Sequence, residues 1–166
     1  MASSPKVSAN LLEAERLIGM AVDKGSRLVV LPENFALMGK DEREKVTVRE
    51  AEGGGPIQEF LAQQAHKHGI WLVGGTIPLV ARTDEKIRAA CLLFDDQGNR
   101  VARYDKIHLF DVAVVDSDER YTESETIEPG DAAVVVETPF GKLGLAVCYD
   151  LRFPELFRTM LEQGME

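Results

Sequence analysis

The chain has 166 residues, 45% hydrophobic and 28% charged, an ordinary balance for a globular protein and enough length for one buried core. A net charge of -9 and a pI near 4.9 exclude the basic surface that nucleic-acid binding needs, and no apolar run approaches the ~20 residues of a membrane span. Two cysteines are too few for a disulfide framework, and no basic stretch precedes an apolar core at the N-terminus, so free thiols in a reducing cytoplasm are expected.

Asn10 followed by Glu13 predicts a helix cap with its reciprocal partner, and Leu11, Ala14, Leu17, Ile18, Ala21 and Val22 mark one apolar helix face that ends at Gly25. Arg27 to Leu31 reads as a strand stopped by Pro32, with Glu33 at its C-terminal end. Residues 39–55 are polar and predict a surface excursion with one short helix. The closing Gly53-Gly54-Gly55 lacks the lysine and Ser/Thr of a phosphate loop and reads as a flexible entry to the next helix. Pro56 opens that helix, Ile57, Phe60, Leu61 and Ala65 line it, and Gly69 closes it.

Ile70 to Val80 predicts a second strand region, with Gly74-Gly75 marking a bulge or a close backbone approach. Ile87 to Phe94 is a third strand, turning through residues 95–99 into Arg100 to Tyr104 as a hairpin. Lys106 to Gly130 reads as a long irregular segment, and Ala133 to Glu137 and Leu143 to Val147 as a further strand pair. Pro154 then starts a helix carrying Leu156, Phe157, Met160 and Leu161. The pattern predicts an α/β fold, a mixed sheet with helices covering one face.

Three polar residues follow apolar strands: Glu33, Lys106 and Cys148. Strand ends build the functional crevice of open α/β sheets. Cys148, on a turn between strand and helix, is the candidate nucleophile. A carboxylate can take its proton, and a lysine can hold the oxyanion of a tetrahedral intermediate. Each residue also has a plain reading taken alone: an inert small hydrophobe for Cys148, a solvated or capping group for Glu33, a surface charge for Lys106. Cys91, inside Ala-Ala-Cys-Leu-Leu-Phe, reads as core, His66 and His68 as solvated, and His108 as a packing or hydrogen-bonding residue. One cysteine without histidines at ligand spacing argues against a zinc site.

Leu-Pro-Glu-Asn-Phe at 31–35, Tyr-Asp-Lys-Ile-His-Leu-Phe-Asp at 104–111 and Gly-Leu-Ala-Val-Cys-Tyr-Asp-Leu-Arg-Phe-Pro-Glu-Leu at 144–156 resemble, in order and spacing, the three catalytic blocks of the nitrilase (carbon–nitrogen hydrolase) superfamily. The resemblance implies Glu33 as general base, Lys106 as stabiliser of the oxyanion and Cys148 as nucleophile. It places a second active-site glutamate at Glu123, within Tyr-Thr-Glu-Ser-Glu-Thr at 121–126, and an oxyanion-hole donor at the Tyr149 backbone N–H. The implied reaction is hydrolysis of a small-molecule carboxamide to carboxylate and ammonia through a cysteine thioester, with no metal or organic cofactor.

The Lys106 to Asp111 block and Arg152-Phe153-Pro154-Glu155-Leu156 resemble the Nit branch, which contains deaminated-glutathione amidase and omega-amidase. The same resemblance implies a four-layer αββα sandwich of which residues 1–166 supply about the first half. An opening strand and later α/β units are expected outside the chain, and a dimer or larger assembly is expected for a full-length parent. The alternatives are a noncatalytic half-domain that acts by pairing with another chain, another specificity of the superfamily (nitrile or N-carbamoyl hydrolysis), or a thiol redox protein, which lacks a second cysteine near Cys148 in sequence.

Overall fold

The computed structural model describes residues 1–113 and 120–166. The order is α1 (Val7–Asp23), β1 (Leu28–Val30), α2 (Glu44–Thr47), α3 (Pro56–His68), β2 (Trp71–Val73), β3 (Ile77–Val80), β4 (Ile87–Phe94), β5 (Arg100–Asp105), β6 (Asp111–Ala113), β7 (Arg120–Thr122), β8 (Val135–Thr138), β9 (Gly141–Gly144) and α4 (Pro154–Glu162). The expected α/β class with a mixed sheet is present. β1 pairs with β2 in parallel, while β2 and β3 both pair antiparallel with one side of β4, and β5 pairs with the other side.

β4 organises the sheet because all eight of its residues are buried. Its side chains alternate between two cores, as the two-residue period of a strand requires. Ala90, Leu92 and Phe94 join Ala14 and Ile18 of α1 and Ile57, Leu61 and Ala65 of α3 on one face. Cys91 and Leu93 join Tyr104, Leu145, Val147, and Leu156 and Met160 of α4 on the other. Helices therefore pack on both sides, not on the one face expected: the strong apolar stripe of α4 finds its cover on the face opposite α1 and α3.

Several sequence-based boundaries shift. Asn10 caps nothing; α1 begins at Val7, and Asn10 is buried one turn inside it, where its Nδ2 donates to the Ser4 and Ala36 carbonyls and its Oδ1 accepts the Ser4 N–H. Glu13 instead pairs with Arg16. The strand expected at 143–147 is confined to Gly141–Gly144, and Leu145 adds one further ladder bond to the Val134 carbonyl before the chain turns. The expected irregular segment contains the β6–β7 hairpin; its residues 114–119 lie outside the described residues. His66 is exposed as expected, but the Nε2 of His68 is buried.

Gly53-Gly54-Gly55 is more than a flexible entry. No side chain of the flanking residue caps α3; Glu50, seven residues ahead of Ile57, does so from a distance. Its buried carboxylate accepts the Ile57 N–H at 2.5 Å, and the Gln58 N–H and Nε2 at 3.1 Å. Gly55 makes room: at φ +135°, a Cβ there would sit 2.4 Å from the Glu50 carboxyl carbon. The negative charge at the helix N-terminus satisfies donors that α3 cannot satisfy internally. Glu50→Ala is expected to lower unfolding free energy by about 1–2 kcal/mol in urea titration, the range for a lost cap; an unchanged midpoint would remove Glu50 from this role.

Candidate active site

Glu33 stands on a tight turn just past β1. Leu31 extends the β1–β2 pairing by donating to the Val73 carbonyl, and the Phe35 N–H closes the turn on the Pro32 carbonyl. Asn34 takes φ +56°, a left-handed conformation that asparagine tolerates, and its N–H donates to Thr76 Oγ1 at 2.9 Å. The turn presses on the link between β2 and β3. Gly75 lies at φ +54°, and a Cβ there would fall 2.0 Å from the Pro32 carbonyl oxygen. This is the close approach that Gly74-Gly75 suggested, and its use is to seat Glu33. Gly75→Ala is expected to cost about 2–4 kcal/mol or prevent folding, since both φ and the backbone contact oppose it; a thermal midpoint within about 2 °C of the unsubstituted protein would refute the contact.

Lys106 leaves the end of β5 and is 0% exposed, so its plain reading as a surface charge fails. Its main chain is held on both sides, the N–H donating to Ala89 and the carbonyl accepting from Gly130. Its Nζ donates to Glu33 Oε1 at 2.8 Å and to Glu123 at 3.0 and 2.8 Å. Burial works to lower the pKa of this ammonium, and the hydrogen bonds and charges of Glu123 and Glu33 more than reverse it, so it stays protonated above its usual 10.5.

Glu123 opens a 3-10 turn, Glu123–Glu125, right after β7. The Phe110 N–H donates to its Oε2 at 2.8 Å, and the following residues clip onto the start of β4: Ile87 N–H to the Thr126 carbonyl, Glu128 N–H to the Ile87 carbonyl. Two carboxylates thus converge on one ammonium from segments 90 residues apart in sequence.

Cys148 begins a second 3-10 turn, Cys148–Arg152, which runs directly into α4. The expected strand-to-helix elbow is therefore a short extended run into a 3-10 turn. Cys148 itself sits at φ +46°, which an L side chain adopts only when its surroundings over-determine it. The thiol is exposed. It shares with Glu33 a cleft of about 110 Å³ walled also by Val30, Leu31, Val73, Gly75 and Cys91. Burial first, and then the negative charge of Glu33, push the Cys148 pKa up, while Lys106 pulls it down. The thiol therefore rests protonated and needs a base to become nucleophilic. The Tyr149 N–H lies in the first turn of the 3-10 segment, where backbone donors have no partner within the helix.

The structure brings together Glu33, Lys106, Glu123 and Cys148, with Tyr149 next to the thiol. Cys91 is core, as expected, and burial pushes its thiol up to about 12. His108 makes the expected packing and hydrogen-bonding contacts: its Nδ1 lies 2.7 Å from Asp150 Oδ1, and its ring stacks on Phe153 at 3.7 Å. The residues that sequence reasoning left without a role are Tyr104 and Asp150. Tyr104 OH donates to Asp150 Oδ2 at 2.6 Å across 46 residues of chain, a pairing with no spacing signal to reveal it.

An exposed cysteine on an elbow, beside a buried lysine held between two glutamates, at the ends of a mixed α/β sheet defines the class. The carbon-nitrogen hydrolase family model matches residues 1–166, and the chain belongs to that family. It is 40% identical over 167 residues to deaminated glutathione amidase of Yersinia enterocolitica, covering 100% of this chain and 58% of that protein. It is 39% identical over 168 residues to omega-amidase NIT2 of Xenopus tropicalis, covering 98% of this chain and 57% of the other. Among solved structures, Nit3 of Saccharomyces cerevisiae, described as a member of branch 10 of the nitrilase superfamily, superposes with a TM-score of 0.83 at 33% identity, over 99% of this chain and 58% of that one. The chain thus spans less than two thirds of the length of these relatives. No helix among the described residues is long and apolar enough to cross a membrane.

Proposed function

We propose that the protein hydrolyses a small-molecule carboxamide to a carboxylate and ammonia, with residues 1–166 acting as part or all of a single hydrolase domain. The observation that carries this is the fully buried Lys106 ammonium bridging Glu33 and Glu123 beside an exposed Cys148. Glu33 takes the thiol proton as Cys148 Sγ attacks the amide carbon. The Lys106 ammonium and the Tyr149 N–H stabilise the oxyanion that forms. Glu33 returns the proton to the nitrogen, the C–N bond breaks and ammonia leaves. Water then attacks the thioester, again losing its proton to Glu33, and breaking the C–S bond regenerates the thiol and releases the acid. Glu123 keeps Lys106 aimed and charged throughout. No step calls for a metal or organic cofactor.

The names of the relatives support deaminated glutathione or an omega-amide as substrate, and the resemblance to the Nit branch implies a short dicarboxylate monoamide for the second. Two free thiols suit a reducing compartment such as the cytoplasm. The test is ammonia release from deaminated glutathione, from a short dicarboxylate monoamide and from the matching nitriles. Turnover of an amide with none of the nitriles supports the proposal; no release from either amide, or release unchanged in Cys148→Ala, refutes it and leaves the reading of a noncatalytic interaction module.

A further inference from the structure

We propose that Asp150 is a positioning residue that fixes the Cys148 elbow and the Lys106 segment relative to one another. This rests on the amidase reading above, in which those two groups act on the same carbonyl.

Asp150 is 0% exposed and is surrounded by donors. Its Oδ2 accepts the Val147 N–H at 2.9 Å and the Tyr104 hydroxyl at 2.6 Å. Its Oδ1 accepts the His108 N–H at 3.1 Å and faces His108 Nδ1 at 2.7 Å. Val147 immediately precedes Cys148, and Tyr104 and His108 stand two residues either side of Lys106. One carboxylate therefore holds the main chain behind the thiol with one oxygen and the chain beyond the lysine with the other, while Tyr104 fastens the strand end before the lysine.

The buried charge is satisfied by these contacts, and they leave it little room to move. Tyr104 remains a donor at any working pH, because burial and then the Asp150 carboxylate push its pKa well above the usual 10. The clamp continues outward: the His108 ring stacks on Phe153, whose edge meets the Tyr149 ring at a centroid distance of 5.4 Å. It also accounts for the Cys148 backbone. A residue at φ +46° relaxes unless it is held, and the Val147–Asp150 bond holds the residue before it while the Asp150 N–H closes the turn on the Val147 carbonyl.

Asp150→Asn keeps the shape but turns an NH2 toward donors on one side of the clamp. In the purified protein, kcat for amide hydrolysis is expected to fall about 30- to 100-fold with KM within about threefold, as for a misplaced reacting group with binding intact. Tyr104→Phe removes one bond and is expected to lower kcat about fivefold, again with KM unmoved. Alkylation of Cys148 by iodoacetamide, read on its own peptide to separate it from Cys91, is expected to slow about tenfold in Asp150→Asn.

A folded Asp150→Asn protein with kcat and alkylation rate within about threefold of the unsubstituted protein overturns the proposal, as does a loss confined to KM. If Asp150→Asn fails to fold, Tyr104→Phe decides: unchanged kcat overturns, a kcat loss at constant KM supports. If the unsubstituted protein releases no ammonia, the amidase reading fails, and the alkylation rates of the two variants alone decide whether Asp150 positions Cys148.

Discussion

Cys148→Ala is expected to lower ammonia release by at least about 10⁴-fold, because the covalent route disappears and only binding and oxyanion stabilisation remain. The loss should be in kcat, measured under saturating amide. Stability should hardly move, since alanine is as strained as cysteine at φ +46°. Glycine is the informative contrast. Cys148→Gly relieves that strain and is expected to raise the unfolding free energy by about 1 kcal/mol while remaining equally inactive. Urea titration of the three proteins checks it: a glycine variant no more stable than the alanine variant would show that the elbow carries no backbone strain. A stable, inactive glycine variant would show strain held for the sake of the nucleophile.

Lys106→Met is expected to be the most damaging single change for folding and function together. The ammonium donates three hydrogen bonds to two carboxylates, and none of the three groups is well exposed. Removing it leaves Glu33 and Glu123 facing one another with no cation between them. Breaking such a buried set by deleting one partner costs about 3–5 kcal/mol. Activity should vanish with it, because the oxyanion loses its charged partner.

The pH dependence should also move to a lower pH range. In the unsubstituted protein the folded-state pKa of Lys106 is raised, so its contribution is fully present below about 10.5 and is lost as pH rises through the folded value. In the variant, the two carboxylates that Lys106 joined face one another without a cation, and their repulsion opposes folding whenever both are ionised. That repulsion grows as the carboxylates ionise, so Lys106→Met should melt at a lower temperature at pH 7 than at pH 5. A variant with the same midpoint at both pH values would refute the ion triad.

What the residues reveal by themselves depends on how local their physics is. The bounds of β4 match the run Ile87 to Phe94, apolar except for Arg88, because burial of both strand faces selects apolar side chains, and the one charge is paired with Glu128. The start and end of α3 follow from Pro56 and Gly69, whose backbone preferences act at their own positions. Gly75 signalled a close approach, though not that Pro32 is what approaches. Asn10 misled because its cap-like chemistry is spent on Ser4 and on Ala36, the latter 26 residues away.

The candidate site divides the same way. Glu33, Lys106 and Cys148 are legible one by one as polar residues at strand ends, and Glu123 and Tyr149 only through the resemblance of their segments to a family. That Lys106 is buried, that its charge is kept by two carboxylates, and that Cys148 stays protonated beside Glu33 are consequences of side chains meeting across tens of residues; burial and Coulomb interaction depend on separation in space, which no local pattern carries. Asp150 is the clearest case. In sequence it is one more acid two residues past the cysteine, and only the folded chain brings Tyr104 and His108 to it, on either side of Lys106.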